Sequence, residues 1–203
     1  MKILGLFPHV DDNQQVCGGV IAQALAAGHS VKCVSTSNFH EPSMAPSMAA
    51  LGVTDYEVWD FAWNELHARE DELRERVTAL LKAYQPERVF TLWGHDTLAD
   101  HVAFNRAALA GILVSEQRAV IYQGEIPSCT KGFVPNVYYA VSPIAYDLKM
   151  ASLNGLTDFD DGPRQWWTST CTAVMRARGL ESGTQYAEAF VTYAPRALGV
   201  ESL

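Results

Sequence analysis

Short apolar runs alternating with helix-patterned segments constrain this chain more than any other feature. Ile3 to Phe7 reads as a buried strand, and Gln14 to Ala27 follows as a helix stopped at Gly28. Ser30 to Thr36 reads as a second strand and Tyr56 to Phe61 as a short third. A two-proline loop from Asn38 to Pro46 and a short helix over Ser47 to Leu51 lie between them. From Glu70 to Tyr84, Leu73, Val77, Leu80, Leu81 and Tyr84 recur at the spacing of a half-buried helix. Arg88 to Trp93 is then a central strand. A helix over Asp100 to Ser115, strands at Ala119 to Tyr122 and Asn136 to Val141, and helices at Pro143 to Leu153 and Arg164 to Arg178 complete the pattern. An acidic turn, Asp158 to Pro163, separates the last two helices. Such alternation predicts an α/β fold, a mostly parallel sheet between helical layers.

Length and charge narrow what that fold can do. The 203 residues suit a single domain, 1–203, with a full core. No apolar stretch approaches the roughly 20 residues of a membrane span, and the N-terminal apolar run is too short for a signal peptide. A net charge of −8 with no basic stripe argues against nucleic acid. Cys17, Cys33, Cys129 and Cys171 are scattered, without the paired spacing of a zinc knuckle or a disulfide frame. They read as reduced, buried thiols of a cytoplasmic protein.

Two clusters carry the chemistry. His9, Val10, Asp11 and Asp12 close the first strand, where open α/β sheets place their ligands. Carboxylates at that turn would repel a pyrophosphate, and Gly18 and Gly19 fall inside the helix pattern. Dinucleotide binding is therefore disfavoured. Gly94 to His101 closes the central strand and contains His95, Asp96, Asp100 and His101. Two imidazoles and a carboxylate would leave a fourth position open on Zn²⁺, the arrangement of a hydrolytic site, and a further carboxylate could take a proton from water. Asp12 and Asp100 could equally be helix-start residues stabilised by the dipole.

Residues 9–12 with Gly18 and Gly19 resemble the A-H-P-D-D-E-x-x-x-x-G-G motif of the PIG-L/LmbE-like N-deacetylases, and Asp100-His101 resembles the end of the H-P-D-H motif. Further likeness follows in family order at Tyr122 to Pro127, Phe133 to Val137, Gly179 to Gly183 and Tyr186 to Phe190. The resemblance implies a Rossmann-like three-layer α/β/α fold and zinc-dependent removal of acetyl from an N-acetylated amino sugar. It implies His9, Asp12 and His101 as metal ligands and Asp11 as general base. It also implies a small-molecule substrate and, as in similar proteins, self-association into a homo-oligomer.

The chain departs from the pattern in four places. Val10 replaces proline and Asn13 replaces glutamate. Leu98 stands where the motif histidine would stabilise the oxyanion, a donor worth roughly 2.7–4 kcal/mol in comparable sites. The arginine expected before Leu51-Gly52-Val53 is absent, with His40 nearest. His95 or His40 is the expected substitute donor, and Trp93, Asp100, Glu125 and His40 are the expected substrate contacts. Trp63, Trp166 and Trp167 are further aromatic candidates. Three readings follow: an N-acetyl-sugar deacetylase, a hydrolase of another amide or carbamoyl-type substrate, or a degenerate zinc-binding protein.

Overall fold

Strand β1 (Lys2–Phe7) is buried along all but its first residue and pairs in parallel with both β2 (Ser30–Ser37) and β4 (Arg88–Leu92). The computed structural model describes residues 1–38, 41–156 and 165–193. His40, the turn at Asp158 to Pro163 and Arg164 lie outside them. β3 (Asp55–Phe61) extends the sheet beyond β2, and β5 (Val120–Gly124) extends it beyond β4, again in parallel. β6 (Val137–Ala140) and β7 (Ala187–Tyr193) complete the order β3-β2-β1-β4-β5-β7-β6. β7 runs antiparallel to both of its neighbours. The segment containing Tyr186 to Phe190 is thus a strand inserted between β5 and β6.

Helices cover both faces. On one, α1 (Asp12–Ala26), α2 (Met44–Leu51) and α5 (Pro143–Asn154) pack together; on the other, α3 (Glu70–Tyr84) lies against α4 (Ala99–Val114). α6 (Gln165–Ser182) packs on β7. The local chemistry agrees with these boundaries. α3 begins with Glu70, Asp71 and Glu72, favourable at the positive end of the dipole, and buries Leu73, Val77 and Leu81. α5 starts at Ser142, whose hydroxyl accepts from the Ala145 N–H, with Pro143 in the first turn. Past α1, Gly28 takes φ +75°, a conformation that costs glycine little. Leu98, not Asp100, precedes the first residue of α4.

The core is built from Leu4, Leu6 and Phe7 of β1, Ile21 of α1, Phe90 of β4, Phe104 of α4 and Phe190 of β7. All four cysteines are buried and free. Among the described residues, no helix is long and apolar enough to cross a membrane. The strand order reverses between β1 and β4, so their carboxyl ends flank the crevice where doubly wound sheets bind ligands. Both chemistry-bearing clusters sit there.

Candidate active site

β1 delivers His9, the turn into α1 delivers Asp11 and Asp12, and the first turns of α4 deliver Asp100 and His101. All but Asp11 are buried to within a few per cent of full. Asp12 folds back so that its Oδ2 accepts from the His9 backbone N–H at 2.9 Å. The same oxygen stands 3.4 Å from His9 Nδ1 and 3.7 Å from His101 Nε2, and those two ring nitrogens face each other at 3.1 Å. Asp11 makes a different contact: its Oδ2 is held by Gln15 Nε2 at 2.6 Å. The two adjacent aspartates therefore have separate environments, a point that spacing left open.

The outer nitrogen of each imidazole meets a carboxylate. His9 Nε2 lies 3.4 Å from Asp100 Oδ2, and His101 Nδ1 lies 3.1 Å from Asp96 Oδ2. With the ring protons on those outer nitrogens, the inner nitrogens present bare lone pairs toward each other and toward Asp12. Three converging lone pairs repel unless a positive charge stands among them. Their spacings of 3.1, 3.4 and 3.7 Å bracket the edge of about 3.3 Å of a tetrahedron with 2.0–2.1 Å ligand bonds. The donor set fits a divalent cation.

The same excess of negative charge also favours the protonated form of the imidazoles. Burial alone would lower the His9 pKa, but hydrogen bonds to Asp100 and Asp12 and the charges of Asp12 and Asp11 outweigh it and raise it to about 10. His101 is also raised, its burial opposed by Asp12 and Asp96. Burial, reinforced by the charge of Asp12, pushes Asp11 up to about 6. Asp96 and Asp100 are both lowered; burial opposes this, but their histidine partners and backbone N–H groups prevail. Four carboxylates around two imidazoles leave this crevice short of positive charge.

The remaining candidates are placed differently. Asp100 is committed to support: besides His9, it accepts from the backbone N–H of Asn64 at 2.6 Å and of Leu66 at 3.3 Å. It is buried, and these contacts engage both of its oxygens. His95 is exposed, its ring centred 5.4 Å from that of Trp93, and neither joins the hydrogen-bonded cluster. Trp93 meets Phe133 edge-on, Arg178 lies over Phe133, and Glu125 clamps Arg178 at 2.7 and 3.0 Å. Glu125 is thereby an ion-pair partner on an aromatic wall. Leu98 is 37% exposed, and its N–H donates to Asp96 Oδ1 at 2.9 Å.

Sequence reasoning gave Asp96 no role, and it favoured Trp93 over Trp63. Asp96 orients His101 and also accepts from Thr130 Oγ1 at 3.3 Å; the Cys129 thiol lies 3.7 Å from His101 Nδ1. Trp63 is 45% exposed, with its ring 4.5 Å from the His9 ring. Asp96 precedes its histidine by five residues, and Trp63 is reached only through the loop after β3. No local periodicity signals either.

Comparison with known proteins bears on this geometry. Residues 40–112 match the family model PIG-L, described as GlcNAc-PI de-N-acetylase. Over that segment the chain is similar to the PIG-L family. Its fold is that of solved relatives of low identity. A conserved protein from Thermus thermophilus is 24% identical, with a TM-score of 0.80, and the match covers 97% of this chain and 96% of that one. The N,N'-diacetylchitobiose deacetylase of Pyrococcus horikoshii is 19% identical with a TM-score of 0.82, covering 95% and 84%. The 4-carboxy-2-hydroxymuconate hydratase of Pseudomonas putida is 16% identical with a TM-score of 0.79, covering 98% of each. A deacetylase and a hydratase thus share this fold, so reaction type must be argued from side chains.

Proposed function

We propose that this chain is a divalent-metal-dependent hydrolase that removes the acetyl group from an N-acetylated amino sugar or a sugar-bearing metabolite. In this reading His9, Asp12 and His101 hold the ion, zinc being the natural fit to two imidazoles and a carboxylate. A cation held there supplies Lewis acidity, activating water and polarising the acyl carbonyl.

The chain's own residues do the rest. Asp11 takes a proton from the attacking water and returns it to the amine nitrogen as the C–N bond breaks. Its burial favours the protonated form, which helps a carboxylate that must first take and then return a proton. Gln15 fixes its orientation. Asp100 and Asp96 hold the two imidazoles in the tautomers that keep lone pairs inward. Trp63, half-exposed against His9, offers an apolar ring face to the C–H face of a sugar.

The observation that carries the reading is the convergence of three donor atoms whose histidines are each backed by a carboxylate. The deacetylase of similar fold, N,N'-diacetylchitobiose deacetylase, supports the substrate class. The test is acetate release from a panel of N-acetyl sugars by metal-stripped protein, with and without added Zn²⁺, Fe²⁺ or Co²⁺. Release that depends on the ion is expected; no release from any member, or release unaffected by chelator, would overturn the proposal. Leu98 favours one second reading. Without a histidine at that position the centre would act on another amide or carbamoyl-type substrate, so the panel should include such compounds.

A further inference from the structure

One buried ionic pair takes no part in the chemistry above. The Lys149 and Glu188 side chains are 1% and 2% exposed and meet at 2.7 Å, far from bulk solvent. A buried pair of this kind is often no more stabilising than apolar residues of the same volume, so its presence asks for a reason. Its hydrogen bonds supply one. In a regular helix the Gly19 N–H would donate to the Gln15 carbonyl. Here the Gly19 N–H donates to Glu188 Oε1 at 2.9 Å, and the Val20 N–H donates to Oε2 at 2.7 Å. The Gln15 carbonyl accepts from Lys149 Nζ at 2.8 Å.

The pair is spliced into the ladder of α1 where that helix breaks. Cys17 has φ −138° and ψ 21°, outside the helical range. The piece before the break carries Asp12 and, through Gln15, grips Asp11. Gly18 and Gly19 make the room. A Cβ at Gly18 would come within 3.1 Å of Lys149 Cγ, and one at Gly19 within 3.2 Å of Glu188 Oε1.

We infer that Lys149 and Glu188 are positioning residues of the active site: by holding the break in α1 they set where Asp11 and Asp12 stand relative to His9 and His101. The inference rests on the proposed metal-dependent reading.

The test uses Glu188→Gln, which keeps the shape but loses an acceptor, and the neutral double variant Lys149→Met/Glu188→Gln. It is read in whichever retains the wild-type near-ultraviolet circular dichroism. Titration with Co²⁺ alone should show affinity about ten- to a hundredfold weaker than wild type, the range for lost support of a metal ligand, with an altered visible absorption band. Amide hydrogen exchange in the metal-free protein should be faster across residues 12–16 while the β1 and β4 amides stay protected. A folded variant with wild-type Co²⁺ affinity, spectrum and exchange would overturn the inference and leave the pair a packing feature. Failure of the wild-type protein itself to bind Co²⁺ would sink the proposed function. The exchange measurement would still decide whether the pair holds the turn.

Discussion

Asp100→Asn is the most informative single change, because every bond it alters can be counted. The carboxylate accepts from His9 Nε2, from the Asn64 N–H and from the Leu66 N–H. An asparagine has one acceptor oxygen and one donor NH₂, so either orientation sets NH₂ against an N–H. If the oxygen takes the Oδ1 place it keeps only the Leu66 N–H, the NH₂ faces both the Asn64 N–H and the His9 N–H, and the inner lone pair is no longer secured. If the oxygen keeps His9, a loop N–H loses its partner. A buried donor left unpaired costs about 1–3 kcal/mol. The metal-free variant should therefore lose about 2 kcal/mol, or about 4–8 °C in Tm for a chain of this size. Loss of a carboxylate behind a ligating histidine should weaken metal binding about ten- to a hundredfold. Guanidinium unfolding of the metal-free protein reads the first, and chelator competition for Co²⁺ reads the second. A variant within about 0.5 kcal/mol of wild type in stability and about twofold in affinity would refute the placement of Asp100 behind His9.

Other perturbations probe other parts of the argument. Leu98→His restores a donor at a 37%-exposed position just before α4 and should raise kcat on an N-acetyl sugar by about 10²-fold. An unchanged rate in metal-loaded protein would remove Leu98 from the account. Trp63→Ala should raise KM for a sugar substrate by roughly two- to tenfold with little change in kcat, read by initial rates, since one lost ring contact is worth about 0.5–1.5 kcal/mol. Gly19→Ala would bring a Cβ to 2.8 and 2.9 Å from the two Val141 methyls, so calorimetry should show a loss of about 1–3 kcal/mol. On the sheet edge, Lys32 donates to Glu57 and lowers its pKa although burial raises it. A folded pKa below the unfolded value makes this contribution present above about pH 4.5 and lost as pH falls through the folded value. Glu57→Gln should flatten the acid limb of a stability–pH curve, by less than about 1 kcal/mol because Glu57 is half in solvent.

Strongly periodic segments were legible from the residues alone. α3 runs over the same Glu70–Tyr84 span that its apolar spacing predicts, and β1, β2 and β4 differ from expectation by a residue at an end. β7 was not legible as a strand. Ala187 to Tyr193 alternates weakly, and its inward Glu188 reads as a surface residue until its partners are seen. At the site, the strand-end positions of His9 and His101 foretold proximity, because β1 and β4 are neighbours at the reversal of strand order. The separate environments of Asp11 and Asp12 were not legible, because they are set by backbone directions at the turn that no residue type announces. The supporting carboxylate Asp96 and the ring of Trp63 are tertiary facts, set by loops rather than by periods.

The bond from Gly19 to Glu188 spans 169 positions. A nascent polypeptide emerging from the ribosome can lay down β1, β2 and β4 and bring both imidazoles together long before β7 exists. The bonds of Gly19 and Val20 in α1 must wait for β7. Closing so large a loop is slow and is rewarded only at the end of folding. A ligand-competent crevice should therefore be among the latest events in maturation, and a chain cut before residue 187 should keep much of its parallel sheet yet never acquire a finished centre.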